Sequence, residues 1–304
     1  MDQLKVGFIG LGAIGKWMAL SVRRAGWPLL VYDLLPEPLA DLAGAGATVA
    51  SSSLEVAAKS DVLVIMVLNH PQAEAVLTGE KGALAGLCPG KTVVVMSTIS
   101  PAQARHLASL VAPTGAHYVD SPVSGGWLRA KDGTLTLMLG GTAEAVKAAR
   151  PVLESMGKYL YHAGEEIGSG QSLKMINQML MSIHEVAASE AMVLAMKLGL
   201  DAELVYDVIS HGTGDSWAFR NRMDRLMARD FTNRGALEIL HKDLGIVLET
   251  ARETKTPLLL TPITYQAYQA SMVAGRARED DSAVAKILEQ LAGVEVKKRS
   301  AKAE

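Results

Sequence analysis

The segment Gly10-Leu11-Gly12-Ala13-Ile14-Gly15 follows an apolar run at 6–9 and is answered by Asp33, which closes a second apolar run at 29–32. Glycines at this spacing also mark ordinary tight turns. Strand, glycines, helix and spaced acid together specify a dinucleotide-binding fingerprint. The first glycine permits a tight strand-to-helix turn, the second lets backbone approach a pyrophosphate, and the third lets the helix pack closely on the strand. The N–H groups around Ala13 and Ile14 then open a helix whose positive dipole end favours phosphate. Asp33 lies about 20 residues on, where a carboxylate accepts from the ribose hydroxyls of NAD and repels the extra phosphate of NADP. Leu34, Leu35 and Pro36 follow it, with no arginine to receive that phosphate. The expected cofactor is NAD.

A chain of 304 residues with 49% hydrophobic content is long enough for two domains, each with its own core. Lys+Arg 30 against Asp+Glu 32 leaves a formal charge of -2, which excludes a global basic field for nucleic acid or an anionic membrane. The single cysteine, Cys88, excludes an internal disulfide framework, fits a reducing compartment and is expected to be structural. The first residues lack the basic start of a signal peptide, and no uninterrupted apolar run approaches a membrane span. The expectation is a cytoplasmic protein with no membrane partner.

Short β-branched runs at 5–10, 29–33, 62–68, 92–96, 117–120, 135–139 and 159–162 alternate with helical stretches. That alternation predicts an α/β fold: an N-terminal Rossmann-type, doubly wound, mostly parallel sheet over 1–164. Ligands bind beyond the carboxyl ends of such strands, so Asp33, 69–71, 97–100 and 121–126 are the segments where chemistry is expected. From 165 the texture becomes all-helical, through 293. A stretch at 171–198, apolar on nearly all sides, reads as one helix about 40 Å long, suited to joining the domains or lying in a dimer core. Asp201 reads as a helix cap, Thr261-Pro262 as a helix start, and Asp281-Ser282 as the lead into a final amphipathic helix. Residues 294–304 read as a solvated tail.

Four segments in order resemble the signatures of the β-hydroxyacid dehydrogenase family: Val6-Gly7-Phe8-Ile9-Gly10-Leu11-Gly12, Asp120-Ser121-Pro122-Val123-Ser124-Gly125-Gly126, Gly168-Ser169-Gly170 with Lys174 and Asn177, and His241-Lys242-Asp243-Leu244. The resemblance spans nearly the whole chain. It implies reversible hydride transfer between a nicotinamide cofactor and a small carboxylate substrate. It also implies that Ser124, Gly125 and Gly126 cradle the carboxylate, that Lys174 transfers the proton, and that Lys242 comes to the nicotinamide side.

Read from the residues alone, each position keeps an ordinary alternative. Ser124 with two glycines offers a hydroxyl and approachable N–H groups, or a plain turn. Lys174 is a general acid/base if burial lowers its pKa, or a solvated helix lysine. Asn177 and Gln178, at i+3 and i+4 from Lys174, share one helical face with it, which favours a substrate site. The family usually carries two asparagines here, so Gln178 is a departure with a longer reach. Leu68, Asn69 and Thr98, at strand ends, are expected cofactor neighbours. His70 and His211 lack ligand spacing to a partner and read as loop histidines, so no metal is expected. Trp217 and Phe219 either line the substrate end or pack helices.

The second half is most similar to the L-threonate branch of the family, through Gln178, 215–219, 240–244 and 280–283. A three- or four-carbon sugar acid is the expected substrate, with tartronate semialdehyde or 3-hydroxyisobutyrate as the alternative within the class. From another class, a non-catalytic dinucleotide sensor remains open. A homodimer or homotetramer is expected from the resemblance and the long apolar helix.

Overall fold

The structure is a computed structural model and describes residues 3–298. It divides into two compact units, Met1–Lys174 and Met175–Glu304.

In the first unit the strands are β1 Val6–Ile9, β2 Leu29–Tyr32, β3 Thr48–Val49, β4 Val62–Ile65, β5 Thr92–Val95, β6 His117–Asp120, β7 Val123–Ser124, β8 Leu135–Gly140 and β9 Gly157–Gly164. Between them run α1 Gly15–Arg24, α2 Pro36–Gly44, α3 Ser53–Lys59, α4 His70–Thr78, α5 Pro101–Val111, α6 Gly126–Lys131 and α7 Ala143–Leu153. Six strands pair in parallel in the order β3-β2-β1-β4-β5-β6. This is the strand order of a dinucleotide-binding sheet, with the reversal between β1 and β4. The sheet then changes sense, because β8 runs antiparallel to β6 through Asp120 and Gly140. β7 lies antiparallel on β8, and β9 runs parallel to it.

The apolar strand runs follow from burial on two sides. Val6, Phe8, Val62, Val64 and Val94 join one core with Met18 and Val22 of α1. Leu63, Ile65, Val93 and Val95 alternate with them and join another core with Val56, Leu77 and Leu107. Side chains of period two thus fill both faces, and no polar alternation survives in the central strands. Strands β3 and β7, two residues each, lie below the length at which such a period can be read.

α8, Ser169–Lys197, begins in the first unit and continues into the second. The division therefore falls after Lys174, beyond the expected boundary at 164, because the first turn of α8 is hydrogen-bonded to the sheet ends. The helix is not uniformly apolar. Gln171, Lys174, Gln178, Ser182, Glu185 and Ser189 recur at spacings of three and four and are buried, whereas Leu173, Ile176, Leu180 and Leu194 are exposed. By length and composition alone α8 could cross a membrane. Its buried polar stripe instead marks it as a helix packed inside the protein, where the side chains of Gln171, Gln178 and Glu185 have hydrogen-bond partners.

The second unit continues with α9 Ala202–Ser210, α10 Trp217–Met227, α11 Leu237–Glu253, α12 Leu260–Val273 and α13 Ala285–Ala292. Asp201 caps α9 by accepting from the Leu204 N–H, as its position predicts. α12 begins at Leu260 without a side-chain cap, so Pro262 lies inside its first turn and Thr261 is not the cap. Asp281 and Ser282 do precede the last helix, in a 3-10 turn that Asp280 caps by accepting from the Ser282 N–H and that leads into α13.

The expected solvated tail is packed through its first residues. Val296 is fully buried with Met192, Phe219 and Met223; its N–H donates to Glu289 and its carbonyl accepts from Arg229. Residues 299–304 lie outside the described residues. Cys88, expected to be structural, is a free, exposed thiol.

Candidate active site

At the fingerprint, each glycine has a separate physical reason. Gly10 has φ +94°, and a Cβ there would strike the Met66 carbonyl. A Cβ on Gly15 would strike the Gly10 carbonyl, which accounts for the close seat of α1 on β1. Gly12 is different: a Cβ would meet nothing within 4 Å. Its side chain is absent from open space, where a ligand's phosphates can approach the backbone. α1 has no side-chain cap and no acidic residue in its first turn, so its positive end is not offset by the protein's own carboxylates.

Asp33 closes this loop from the end of β2. Its Oδ2 accepts from the Leu11 N–H at 2.6 Å and its Oδ1 from the Leu35 N–H at 2.9 Å. An ionised carboxylate offers about four lone-pair sites, so two remain for ribose hydroxyls. The residues present fit a dinucleotide.

Beyond β4, Leu68 is exposed and its N–H donates to the Gln72 side chain, while Asn69 Oδ1 caps α4 by accepting from the Gln72 N–H. Half-buried Thr98 follows β5. Its neighbour Ser97 is buried and accepts from the Val67 N–H, joining the ends of β4 and β5. Beyond β6, half-buried Ser124 pairs with Thr136 and leads into Gly125 and Gly126, at φ +134° and +67°. Two successive residues in a region that side chains disfavour require glycine and turn the backbone sharply there.

A clamp that sequence reasoning missed holds the start of α8. The buried carboxylate of Asp120, at the end of β6, accepts from the Gly168 N–H at 2.6 Å and the Gln171 N–H at 2.9 Å. Burial pushes its pKa up to about 6, while the backbone donors pull the other way. The Gln171 side chain completes the clamp, accepting from the Ile99 N–H and donating to the Ser97 carbonyl. Lys174, one turn beyond Gln171 on the same helical face, is 6% exposed. The solvated reading of this lysine does not hold.

In the second unit, the polar residues form one hydrogen-bonded chain. Asn177 Nδ2 donates to Gln178 Oε1 at 3.0 Å, Gln178 Nε2 to Asp243 Oδ2 at 2.6 Å, and Lys242 Nζ to Asp243 Oδ1 at 2.7 Å. Gln178 and Asp243 are buried; Asn177 and Lys242 are half-buried. Through this bond Gln178 ties α8 to α11, beside the packing of Val186 on Leu237, Leu240 and Leu244. Asp243 is the missed member, and its adjacency to Lys242 was the available signal.

Other candidates separate clearly. Phe219 is buried and stacked on Tyr206, a helix-packing residue. Trp217 is half-exposed beneath the Arg222 guanidinium. His211 faces solvent beside Asp207. His70 does not: its Nε2 is buried, Glu74 stands one turn along α4, and His106 approaches from α5.

Residues 5–164 match the family model described as the NAD binding domain of 6-phosphogluconate dehydrogenase. Residues 168–288 match the model described as NAD-binding of NADP-dependent 3-hydroxyisobutyrate dehydrogenase. The chain is 43% identical to the L-threonate dehydrogenase of Cupriavidus necator over 282 residues, 93% of this chain and 95% of the relative. The chain belongs to the β-hydroxyacid dehydrogenase family. Within that family it is also 37% identical to the 2-(hydroxymethyl)glutarate dehydrogenase of Eubacterium barkeri, across 97% of this chain and 98% of the relative. A crystal structure of a 3-hydroxyisobutyrate dehydrogenase from Salmonella typhimurium superposes with a TM-score of 0.87 at 38% identity, covering 94% of this chain and 100% of that one. The family makes the chain a dehydrogenase that binds NAD(P).

Proposed function

We propose that the protein catalyses reversible, NAD-linked oxidation of a three- or four-carbon β-hydroxy acid carrying further hydroxyls, a sugar acid of the L-threonate kind. The observation that carries this reading is Lys174, buried one turn beyond a helix start that Gln171 and Asp120 hydrogen-bond to the ends of β5 and β6. A lysine serves as general acid/base where burial lowers its pKa, so that its amine can accept and return a proton.

The substrate carboxylate rests on the Ser124 hydroxyl and the N–H groups of Gly125 and Gly126. Asn177 holds a substrate oxygen, and Gln178, tied to Asp243, orients the Asn177 amide. The Lys174 amine takes the hydroxyl proton as the carbinol C–H leaves as hydride and the C=O forms. In the reverse direction it returns that proton to the carbonyl oxygen. Bound NAD supplies the nicotinamide that accepts the hydride. Gly10, Gly12, Ala13, Ile14, Gly15 and Asp33 bind the dinucleotide, with Leu68, Asn69, Thr98 and Lys242 as further neighbours. Positioning supplies most of the rate.

A polar chain through Asn177, Gln178, Asp243 and Lys242 suits a substrate with several hydroxyls and supports the sugar-acid reading over the methyl-bearing 3-hydroxyisobutyrate. The Salmonella structure's own description favours that second substrate, with tartronate semialdehyde the further alternative. The exposed leucines of the second unit, Leu180, Leu194, Leu198 and Leu204, support a homo-oligomer. The single cysteine supports a cytoplasmic protein.

The test is a panel of L-threonate, 3-hydroxyisobutyrate, 2-(hydroxymethyl)glutarate and, in reverse, tartronate semialdehyde, each with both nicotinamide cofactors. L-Threonate oxidised best with NAD is the expected result. NAD binding without turnover of any substrate would identify a dinucleotide sensor. Lys174→Ala is expected to lower kcat by about 10²–10⁴-fold while NAD binding persists; near-normal turnover would remove its role.

A further inference from the structure

His70, Glu74 and His106 stand together for reasons that the hydride-transfer chemistry does not use. His70 opens α4, Glu74 lies at i+4 on the same face, and His106 comes from the middle of α5. One ligand atom from each lies within 4.8 Å of the other two. Glu74 Oε1 is 3.1 Å from His106 Nε2, Glu74 Oε2 is 3.8 Å from His70 Nδ1, and the two imidazole centroids are 5.4 Å apart. Among the described residues this is the one such group of three.

We propose that these three side chains form a binding site for a borderline divalent transition ion of the Zn²⁺ class, with one coordination position left open. Two imidazoles and a carboxylate are the donor set such ions take, and three protein ligands leave the fourth tetrahedral place for water or another ligand. Donors on a tetrahedral ion with bonds near 2.0–2.1 Å stand about 3.3 Å apart. The two imidazoles stand at 3.1 and 3.8 Å from different oxygens of Glu74, and all three ligand atoms lie within 4.8 Å of one another, so rotation of the carboxylate and imidazoles is what would bring one donor of each onto an ion.

The carriers are rigid. α4 is capped by Asn69, and α5 opens with a reciprocal capping box between Ser100 and Gln103. His70 Nε2 is buried and without a hydrogen-bond partner, and Nδ1 is the ring atom turned to Glu74. The ordinary alternative is a His106–Glu74 ion pair with His70 as a bystander. That alternative requires no ion and gives His70 no role.

The test uses the full chain, free of any histidine tag and stripped of metal, titrated with Co²⁺ and followed by its d–d absorption, then competed with Zn²⁺. The expected result is one Co²⁺ per chain, displaced by Zn²⁺, with affinity lowered at least about tenfold in His106→Ala and in Glu74→Gln. His211→Ala, at an exposed site, is expected to bind as the unmodified chain does. Absence of stoichiometric Co²⁺ binding, or binding undiminished in His106→Ala, would overturn the proposal. Dehydrogenase turnover in His106→Ala is expected to be unchanged, so the outcome is separable from that of the substrate panel.

Discussion

Asp33 performs two tasks with one carboxylate: it braces the Leu11 and Leu35 N–H groups and presents its remaining lone pairs outward. Asp33→Arg therefore removes a brace as well as a charge. Loss of the brace alone would weaken both cofactors, whereas the charge change weakens NAD and favours NADP. The expected outcome is a fall of about tenfold or more in the kcat/KM ratio of NAD over NADP, or about 1.4 kcal/mol. Asp33→Asn, which keeps an acceptor, separates the two effects, and an unchanged cofactor ratio in the arginine variant would count against the charge argument. The residue-scale features legible in sequence are those whose meaning is local. Glycine spacing, the acid after β2 and the Lys174–Asn177–Gln178 face all lie within one turn or one unit of supersecondary structure. The Gln178–Asp243 bond joins residues 65 apart, and His106 meets Glu74 across 32, so only the folded chain reveals them.

At the scale of elements, α8 shows how a helix can be placed by a residue far from it. Its length was readable from the apolar run, and the observed Ser169–Lys197 differs from the expected 171–198 only at the ends. What holds its N-terminus was not readable, because Asp120 lies 48 and 51 residues before the N–H groups it accepts from. The buried polar stripe was hidden for the same reason: the leucines between those polar residues dominate the pattern but face outward. Asp120→Ala leaves two buried donors unmet while removing a carboxylate that burial penalises. The unmet donors outweigh the relief, since each costs about 1–3 kcal/mol. The expected outcome is a lower urea midpoint and a kcat reduced more than KM is raised, because Lys174 loses its anchored turn. A variant with an unchanged midpoint and unchanged kcat would show that the clamp does not position the helix.

At the scale of the whole molecule, both units bury acids whose pKa is raised, Asp120 in the first and Glu185 and Asp281 in the second, and all three push stability in the same direction. Asp120 is raised from 3.8 to about 6. Glu185, buried beside Asp281 and Arg222 with the Tyr268 hydroxyl donating to it, is raised from 4.5 to about 8, first by burial and next by Asp281. Between the unfolded and folded values the native state keeps a proton that the unfolded chain has released, so stability falls as pH rises through that interval. Surface acids act oppositely: Glu55 and Asp230, lowered to about 2, lose their contribution only in acid. His70, lowered by burial, makes stability rise with pH, but only up to about 6.5. Among these groups Glu185 dominates from about 6.5 to 8, contributing a slope of at most about 1.4 kcal/mol per pH unit. In metal-free buffer the urea midpoint is expected to fall across that range. Glu185→Gln, which can still accept from Tyr268, is expected to flatten the slope and to be at least as stable as the unmodified chain at pH 8. Equal slopes in the two proteins would mean that Glu185 is already ionised at neutrality, held by Arg222 strongly enough to overcome its burial.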